Sequence, residues 1–433
     1  LKREASVRVL LVDFNPFMPP VTPISLGNIG AVLKALGHEV EILSLGSNSR
    51  FSPNALLAFL EEFSPRLIGF SAYQRNMFQT RAIAKMAKET LADVSVVLGG
   101  PQATFLPAVA LASMPEVDHL SRGEGELTIK AIVQAIEGGR EDQPIPGVTT
   151  RITPTYFHSG PSPKPLANLD SYPSPWLTGV LDPAMLEESI MLTSRGCYNN
   201  CCFCHTPAAF AGKISAQSVD RVLEDIAWVT RAGTGRLWFA DPNFSFSNQR
   251  VIDILEGVIR RNLKVSMWVE TRADMLHPEL IALMKRAGVH SIAMGLESAS
   301  PNVYPGLNKG LEPELIARAT SMAQGAELEV ELFSQYALPG ETLEDALQTL
   351  QFVKDCGVPI RGNTNAQQMQ LYFGSEVHSN LQKFGVRPLR KKYPSYLAIG
   401  TEFETRWMSR EEIKKVKAAW RAESLDGGKR VVS

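Results

Sequence analysis

Arg195-Gly-Cys-Tyr-Asn-Asn-Cys-Cys-Phe-Cys204 sets three cysteines, Cys197, Cys201 and Cys204, in a C-x3-C-x2-C spacing with Phe203 just before the last. Three closely spaced thiols on one loop suit a soft iron–sulfur cluster. A fourth cysteine would close the coordination of a cubane. Three leave one iron open, where a substrate or cosubstrate can bind. Zinc modules instead tend to supply two ligand pairs. The loop follows Ser189-Ile-Met-Leu-Thr193, an apolar run that reads as a strand.

Downstream of the loop, strands and helices alternate. Strands are expected at 236–240, 265–270, 291–295, 328–337 and 366–372. Helices are expected at 218–231, 252–261, 277–287, 313–324 and 343–355. With the strand before the cysteines this makes six units, whose spacing implies a parallel sheet. Chemistry in such sheets belongs at the strands' carboxyl ends. Those ends carry Asp241 and Asn243, Glu270 and Arg272, Glu297 and Ser298, and Gln335 and Tyr336. A carboxylate can accept from ribose hydroxyls, and a guanidinium can hold a carboxylate.

Upstream, residues 6–148 alternate in the same way. Strands are expected at 7–13, 38–43, 67–71, 94–98 and 117–120, with helices at 25–36, 54–63, 80–91 and 126–137. This predicts a doubly wound parallel sheet that binds ligands at Asp13–Pro19, Ser71–Asn76 and Gly99–Gln102. The pair Gly99-Gly100 lets a ligand lie close to the backbone. Gly123-Glu-Gly-Glu126 precedes a helix, where carboxylates complement the helix dipole, and reads as structural. Prolines crowd residues 141–189, which reads as a connector with a small hairpin at 148–158. Beyond 380, Ser409 and Glu412 form a capping box. Ile413, Val416 and Trp420 make the packing stripe of a terminal helix.

Composition narrows the function. The chain has 433 residues, 44% apolar, with a formal charge of −1. That length suits about two or three domains. No basic stripe marks a nucleic-acid partner. No apolar run approaches the ~18 residues of a membrane-spanning helix. Four of the five cysteines crowd one loop, so they are not a secreted disulfide framework, and a reducing cytoplasm is expected.

C-x3-C-x-aromatic-C resembles the signature of the radical S-adenosylmethionine (SAM) superfamily. The resemblance implies that Cys197, Cys201 and Cys204 hold a [4Fe-4S] cluster and that Cys202 does not. The open iron would chelate the amino and carboxylate groups of SAM, whose reductive cleavage gives a 5′-deoxyadenosyl radical. The six units would form a partial (β/α)6 TIM-type barrel. Asp241-Pro-Asn243 stands where the family has G-G-E. Leu338-Pro-Gly-Glu-Thr342 and Lys309-Gly310 match family landmarks, the latter with no assigned chemistry.

The first section resembles the cobalamin-binding domain of one subclass, similar to class B radical SAM methyltransferases. Asp13-Phe-Asn15 stands for D-x-H, without the histidine, and Met18 for the following glycine. Ser71-Ala-Tyr73 stands for S-x-L, and Gly99-Gly100 for G-G. Asn15, Ser71, Tyr73, Gln74, Gly99 and Gly100 are then the expected cobalamin contacts. Asp241, Asn243, Glu270, Arg272, Glu297 and Ser298 are the expected SAM contacts, and Gln335 and Tyr336 the expected catalytic pair. The implied domains are 1–140 (cobalamin), 141–189 (connector), 190–380 (radical SAM core) and 381–433 (helical extension). The implied activity is cobalamin-dependent methylation of an unactivated carbon in a small molecule or peptide, with flavodoxin or ferredoxin as reductant. The alternative is a non-methylating ring closure, contraction or rearrangement on the same architecture.

Overall fold

A computed structural model describes residues 6–15, 22–46, 52–161, 166, 168–233, 235–361, 366–389 and 402–424. Met18 lies outside them. The chain divides into two compact units, built mainly from residues up to Leu186 and from Glu187 onward.

The first unit alternates β1 (Arg8–Asn15), α1 (Ile24–Ala35), β2 (Glu39–Gly46), α2 (Pro53–Phe63), β3 (Leu67–Ser71), α3 (Met77–Thr90), β4 (Ser95–Gly99), α4 (Gly100–Phe105), β5 (His119–Ser121) and α5 (Gly125–Glu137). The strands pair in parallel in the order β2-β1-β3-β4-β5. Chain direction across the sheet reverses between β1 and β3, which is the switch point where such folds bind ligands. Successive strand residues point to opposite faces. Leu10, Val12, Ile68 and Phe70 therefore enter one core, and Val9, Leu11, Leu67 and Val97 the other.

The proline-rich stretch differs from a free connector. β6 (Val148–Arg151) and β7 (Phe157–Ser159) pair antiparallel beyond β5 and extend the sheet. They cover an edge that would otherwise present unpaired backbone. Further on, Val180 and Leu181 lie against α1. A Cβ on Gly27 would meet Leu181 at 2.5 Å, and one on Gly30 would meet Val180 at 2.9 Å. Glu124 accepts the Leu166 N–H at 2.9 Å, and Glu126 is buried in the first turn of α5, as a structural reading of that turn requires.

In the second unit β8 (Ser189–Met191), β11 (Arg236–Phe239), β12 (Ser266–Thr271), β13 (Val289–Glu297), β14 (Glu329–Tyr336) and β15 (Ala366–Gln368) form one parallel sheet in chain order. Helices α7 (Val219–Arg231), α8 (Asn248–Arg260), α9 (Pro278–Ala287), α10 (Pro313–Gly325) and α11 (Leu343–Asp355) return the chain between strands. This curled sheet is the expected half-barrel, with β15 shorter than the run 366–372. Between β8 and α7 lie β9 (Ser194–Arg195), α6 (Thr206–Ala209) and β10 (Ser215–Ala216). After β15 come α12 (Glu376–Ser379), the antiparallel pair β16 (Val386–Pro388) and β17 (Phe403–Thr405), and α13 (Arg410–Ala422). The Ser409–Glu412 capping box opens α13, which buries Ile413, Val416 and Trp420 and packs on α11 and β15.

Candidate active site

The cysteine loop is pinned at its base. β9 and β10 pair antiparallel, Arg195 opposite Ser215, and close the loop between them. Gly196 makes the closure possible: its φ is +86°, and a Cβ there would lie 1.9 Å from the Lys213 carbonyl. Within the loop, the Cys202 amide donates to the Leu307 carbonyl at 3.0 Å, and its own carbonyl accepts from Val377 at 3.0 Å. Cys202 is therefore a buried anchor. Cys197, Cys201 and Cys204 remain partly accessible.

Donors aim at two of those sulfurs. The Asn199 amide and side chain approach Cys197 Sγ at 3.5 and 3.4 Å, and the Thr206 amide approaches Cys204 Sγ at 3.4 Å. N–H groups on a sulfur stabilise thiolate and tune a cluster held by it. Burial pushes the Cys201 thiol up to about 11, against the pull of the Lys309 ammonium. A group so hard to ionise alone becomes a thiolate when a metal displaces its proton. The donor set fits an iron–sulfur cluster.

Asp241, expected to face SAM, turns away from the cleft. Its Oδ1 accepts the Thr193 and Ser194 amides at 2.6 and 2.8 Å, and its Oδ2 accepts the Thr193 hydroxyl at 2.5 Å. It is wholly buried. The reason is register: β8 and β11 are neighbours, so the carboxylate at the end of one meets the amides after the other. Asp241 clamps the start of the cysteine loop. Ser298 likewise faces inward, between the Ser300 amide at 3.2 Å and the Thr349 hydroxyl at 3.3 Å. Asn243 Oδ1 accepts from Ser245, while its buried Nδ2 meets no acceptor among the described residues.

Glu270, Arg272 and Glu297 line a cleft of about 160 Å³, with Pro242, Lys309 and Phe333 among its walls. Burial pushes the Glu270 carboxyl up to about 7. Arg272 is held by Asp274 through two bonds of 3.0 and 2.9 Å. Glu297 accepts Lys309 Nζ at 2.7 Å and Gln335 Nε2 at 2.6 Å. Gln335 thus joins the site, on the same face of β14 as Phe333. Tyr336 does not. One residue on, it faces the opposite side, 4% exposed, and burial pushes its hydroxyl up to about 12 beside Arg421 and the Gln368 backbone. Period-two alternation separates the expected pair. Sequence reasoning left Lys309 without a role; its turn, Asn308-Lys-Gly310, was the available signal.

At the carboxyl edge of the first unit, Asn15 ends β1 opposite Gly46. Asn76, fully buried, ties the neighbouring turn together. It donates to the carbonyls of Phe14 and Ser71 at 3.0 and 2.8 Å and accepts the Tyr73 amide at 2.8 Å. Tyr73 lies under Arg75, 5.2 Å from ring centroid to Cζ, and Gln74 is buried. The two glycines differ. Gly100 has φ +89°, and a Cβ there would crowd the Ala72 carbonyl at 3.1 Å. Gly99 has an ordinary extended backbone, and among the described residues a Cβ would meet only Phe70 O at 3.8 Å and Ser121 Cβ at 3.9 Å. The fold does not need glycine at 99. The space it leaves is a cradle, which fits close approach of a nucleotide tail.

Residues 15–133 match the B12 binding domain family, and residues 191–353 match the Radical SAM superfamily. An uncharacterised methyltransferase of Pyrococcus horikoshii is 30% identical over 338 residues, which span 77% of this chain and 73% of the relative. The anaerobic magnesium-protoporphyrin IX monomethyl ester cyclase of Rubrivivax gelatinosus is 25% identical, over 77% of this chain and 62% of that enzyme. Among solved structures, the radical SAM methyltransferase TsrM of Kitasatospora setae, with cobalamin and a [4Fe-4S] cluster bound, matches with a TM-score of 0.77. The match covers 96% of this chain and 91% of TsrM at 17% identity, a likeness of fold.

Proposed function

The chain belongs to the radical SAM superfamily, in the branch that carries a B12-binding domain, and from that membership we propose that it methylates an unactivated carbon of a small molecule or peptide. The observation that carries the reading is the pinned cysteine loop at the carboxyl end of β8, with amide donors on Cys197 and Cys204. Bound there, a [4Fe-4S] cluster supplies the electron that cleaves SAM, and cobalamin in the first unit supplies the methyl group.

The protein's own residues bind and orient. Cys197, Cys201 and Cys204 hold the cluster, and Asp241 keeps their loop in place. Asn243 Nδ2 has a free donor for SAM, and Glu270, Arg272 and Glu297 form the polar wall of its cleft. Gln335 holds Glu297 from β14. Ser71, Tyr73, Gln74, Gly99 and Gly100, with Asn15, form the corrinoid edge. Among the described residues no helix is long and apolar enough to cross a membrane. An electron donor such as flavodoxin or ferredoxin, in the cytoplasm, completes the reading. Similarity to the cyclase keeps a second reading, a non-methylating ring-forming reaction.

The test is turnover under anaerobic reduction with SAM and hydroxocobalamin. The reading expects 5′-deoxyadenosine together with S-adenosylhomocysteine, and neither radical cleavage nor its product in Cys201→Ala. 5′-Deoxyadenosine without S-adenosylhomocysteine would favour the cyclase-like reading. No SAM cleavage at all by the loaded wild-type protein would sink both.

A further inference from the structure

Several costs meet at one point where β13 ends. Glu297 takes a φ of +64°, and the β13–β14 register slips between Gly295 and Glu297. A left-handed backbone is strained for a residue other than glycine. Its side chain and that of Lys309 form an ion pair only 10% and 13% exposed. Pairs so far out of water seldom add stability, because desolvation cancels the attraction. The pair also demands a glycine. A Cβ on Gly295 would lie 2.2 Å from Lys309 Nζ and 2.5 Å from Glu297 Oε1.

The turn that presents Lys309 is built for it. Asn308 and Gly310 on either side have φ of +55° and +67°. The Lys309 carbonyl accepts Arg272 Nη1 at 3.2 Å. The turn is fastened to the cysteine loop, since the Leu307 carbonyl holds the Cys202 amide and Gly306 O lies 3.7 Å from Cys202 Sγ. Lys309 and Glu297 both line the cleft. A buried, strained and glycine-dependent ion pair beside the cysteines serves the site more than the fold.

We propose that Lys309 is a positioning residue: it fixes Glu297 at the SAM cleft, and its charge on the turn fastened to the cysteine loop sets the reduction potential of the cluster. The inference rests on the cluster-binding reading above. A positive charge near an anionic cluster favours the reduced state, so its removal makes reduction harder. Loss of the Glu297 charge, which leaves Lys309 unpaired, makes reduction easier. The two substitutions therefore act with opposite signs, which a merely structural role would not produce.

The experiment compares reconstituted wild-type protein with Lys309→Met, Glu297→Gln and Gln335→Leu. Redox titration followed by EPR of the reduced cluster gives the midpoint potential without SAM. The change of that signal on adding SAM gives its affinity. Lys309→Met should move the midpoint negative and weaken SAM at least tenfold. Glu297→Gln should move the midpoint positive. Gln335→Leu should weaken SAM with the midpoint unchanged. If Lys309→Met does not hold a cluster, the sign of the Glu297→Gln shift decides. Midpoints that stay fixed, or that move the same way in both charge variants, overturn the proposal. Wild-type protein that takes up no cluster, or whose signal ignores SAM, overturns the parent reading instead.

Discussion

Removing the Asp241 side chain tests the clamp most directly. In Asp241→Ala, three donors lose their acceptor: the Thr193 and Ser194 amides and the Thr193 hydroxyl. All three bonds are buried. An unsatisfied buried donor costs ~1–3 kcal/mol, so the low end for three is about 3 kcal/mol. Local opening of the loop base then becomes ~10² times more frequent. Asp241→Asn keeps Oδ1 as acceptor for both amides, gives up charge assistance, about 1–1.5 kcal/mol, and replaces the acceptor of the Thr193 hydroxyl by an amide donor. Iron and sulfide content after reconstitution, hydrogen exchange over residues 189–216 and SAM affinity are the assays. The clamp predicts that Ala loses the cluster and loop protection. It predicts that Asn keeps the cluster and binds SAM within about twofold of wild type, since ~0.4 kcal/mol or less reaches the cleft. An Asn variant with full cluster content and unchanged protection but tenfold weaker SAM binding would refute the clamp and restore Asp241 as a direct contact.

Gly196→Ala forces a Cβ to within 1.9 Å of the Lys213 carbonyl at a positive φ. It should cost more than about 3 kcal/mol locally and abolish cluster uptake, read as iron content. Gly99→Ala should leave the melting temperature within about 2 °C yet weaken hydroxocobalamin binding at least tenfold, read by co-elution and titration. Gly100→Ala should lower the melting temperature, because its backbone needs the left-handed region. Glu341 is wholly buried, and burial raises its carboxyl from 4.5 to about 8. Between those values the folded chain keeps a proton that the unfolded chain has lost, so its contribution to stability is full below pH 4.5 and fades as pH rises to 8. Glu341→Gln, which imitates the protonated form, should be close to neutral near pH 5 and stabilising by roughly 5 kcal/mol at pH 8.5. Equal stability of the two proteins across that range in urea unfolding would contradict the assignment.

Much of the site was legible because its signals are local. Cysteine spacing is a property of one loop, and strand–helix alternation is a property of short windows. Together they pointed to the three-cysteine loop and gave both parallel sheets. Period-two alternation would also have separated Gln335 from Tyr336, since the first shares a face with Phe333 and the second with Ser334. The role of Asp241 was not legible. Its partners, Thr193 and Ser194, are 48 and 47 residues away, and only the pairing of β8 with β11 brings them together. Lys309 is hidden for a similar reason. It meets Glu297 12 residues back because a turn with two left-handed residues returns it to the strand end.

The amino-acid sequence by itself determined the two α/β units, the three-cysteine loop and the glycines of the first sheet's edge, because each follows from spacing, periodicity or backbone chemistry within a few residues. Tertiary structure alone decided which polar side chains face the cleft and which brace the scaffold. A carboxylate at a strand end has the same chemistry in either role, and only the neighbours that register and bulge bring to it settle whether its oxygens are already taken.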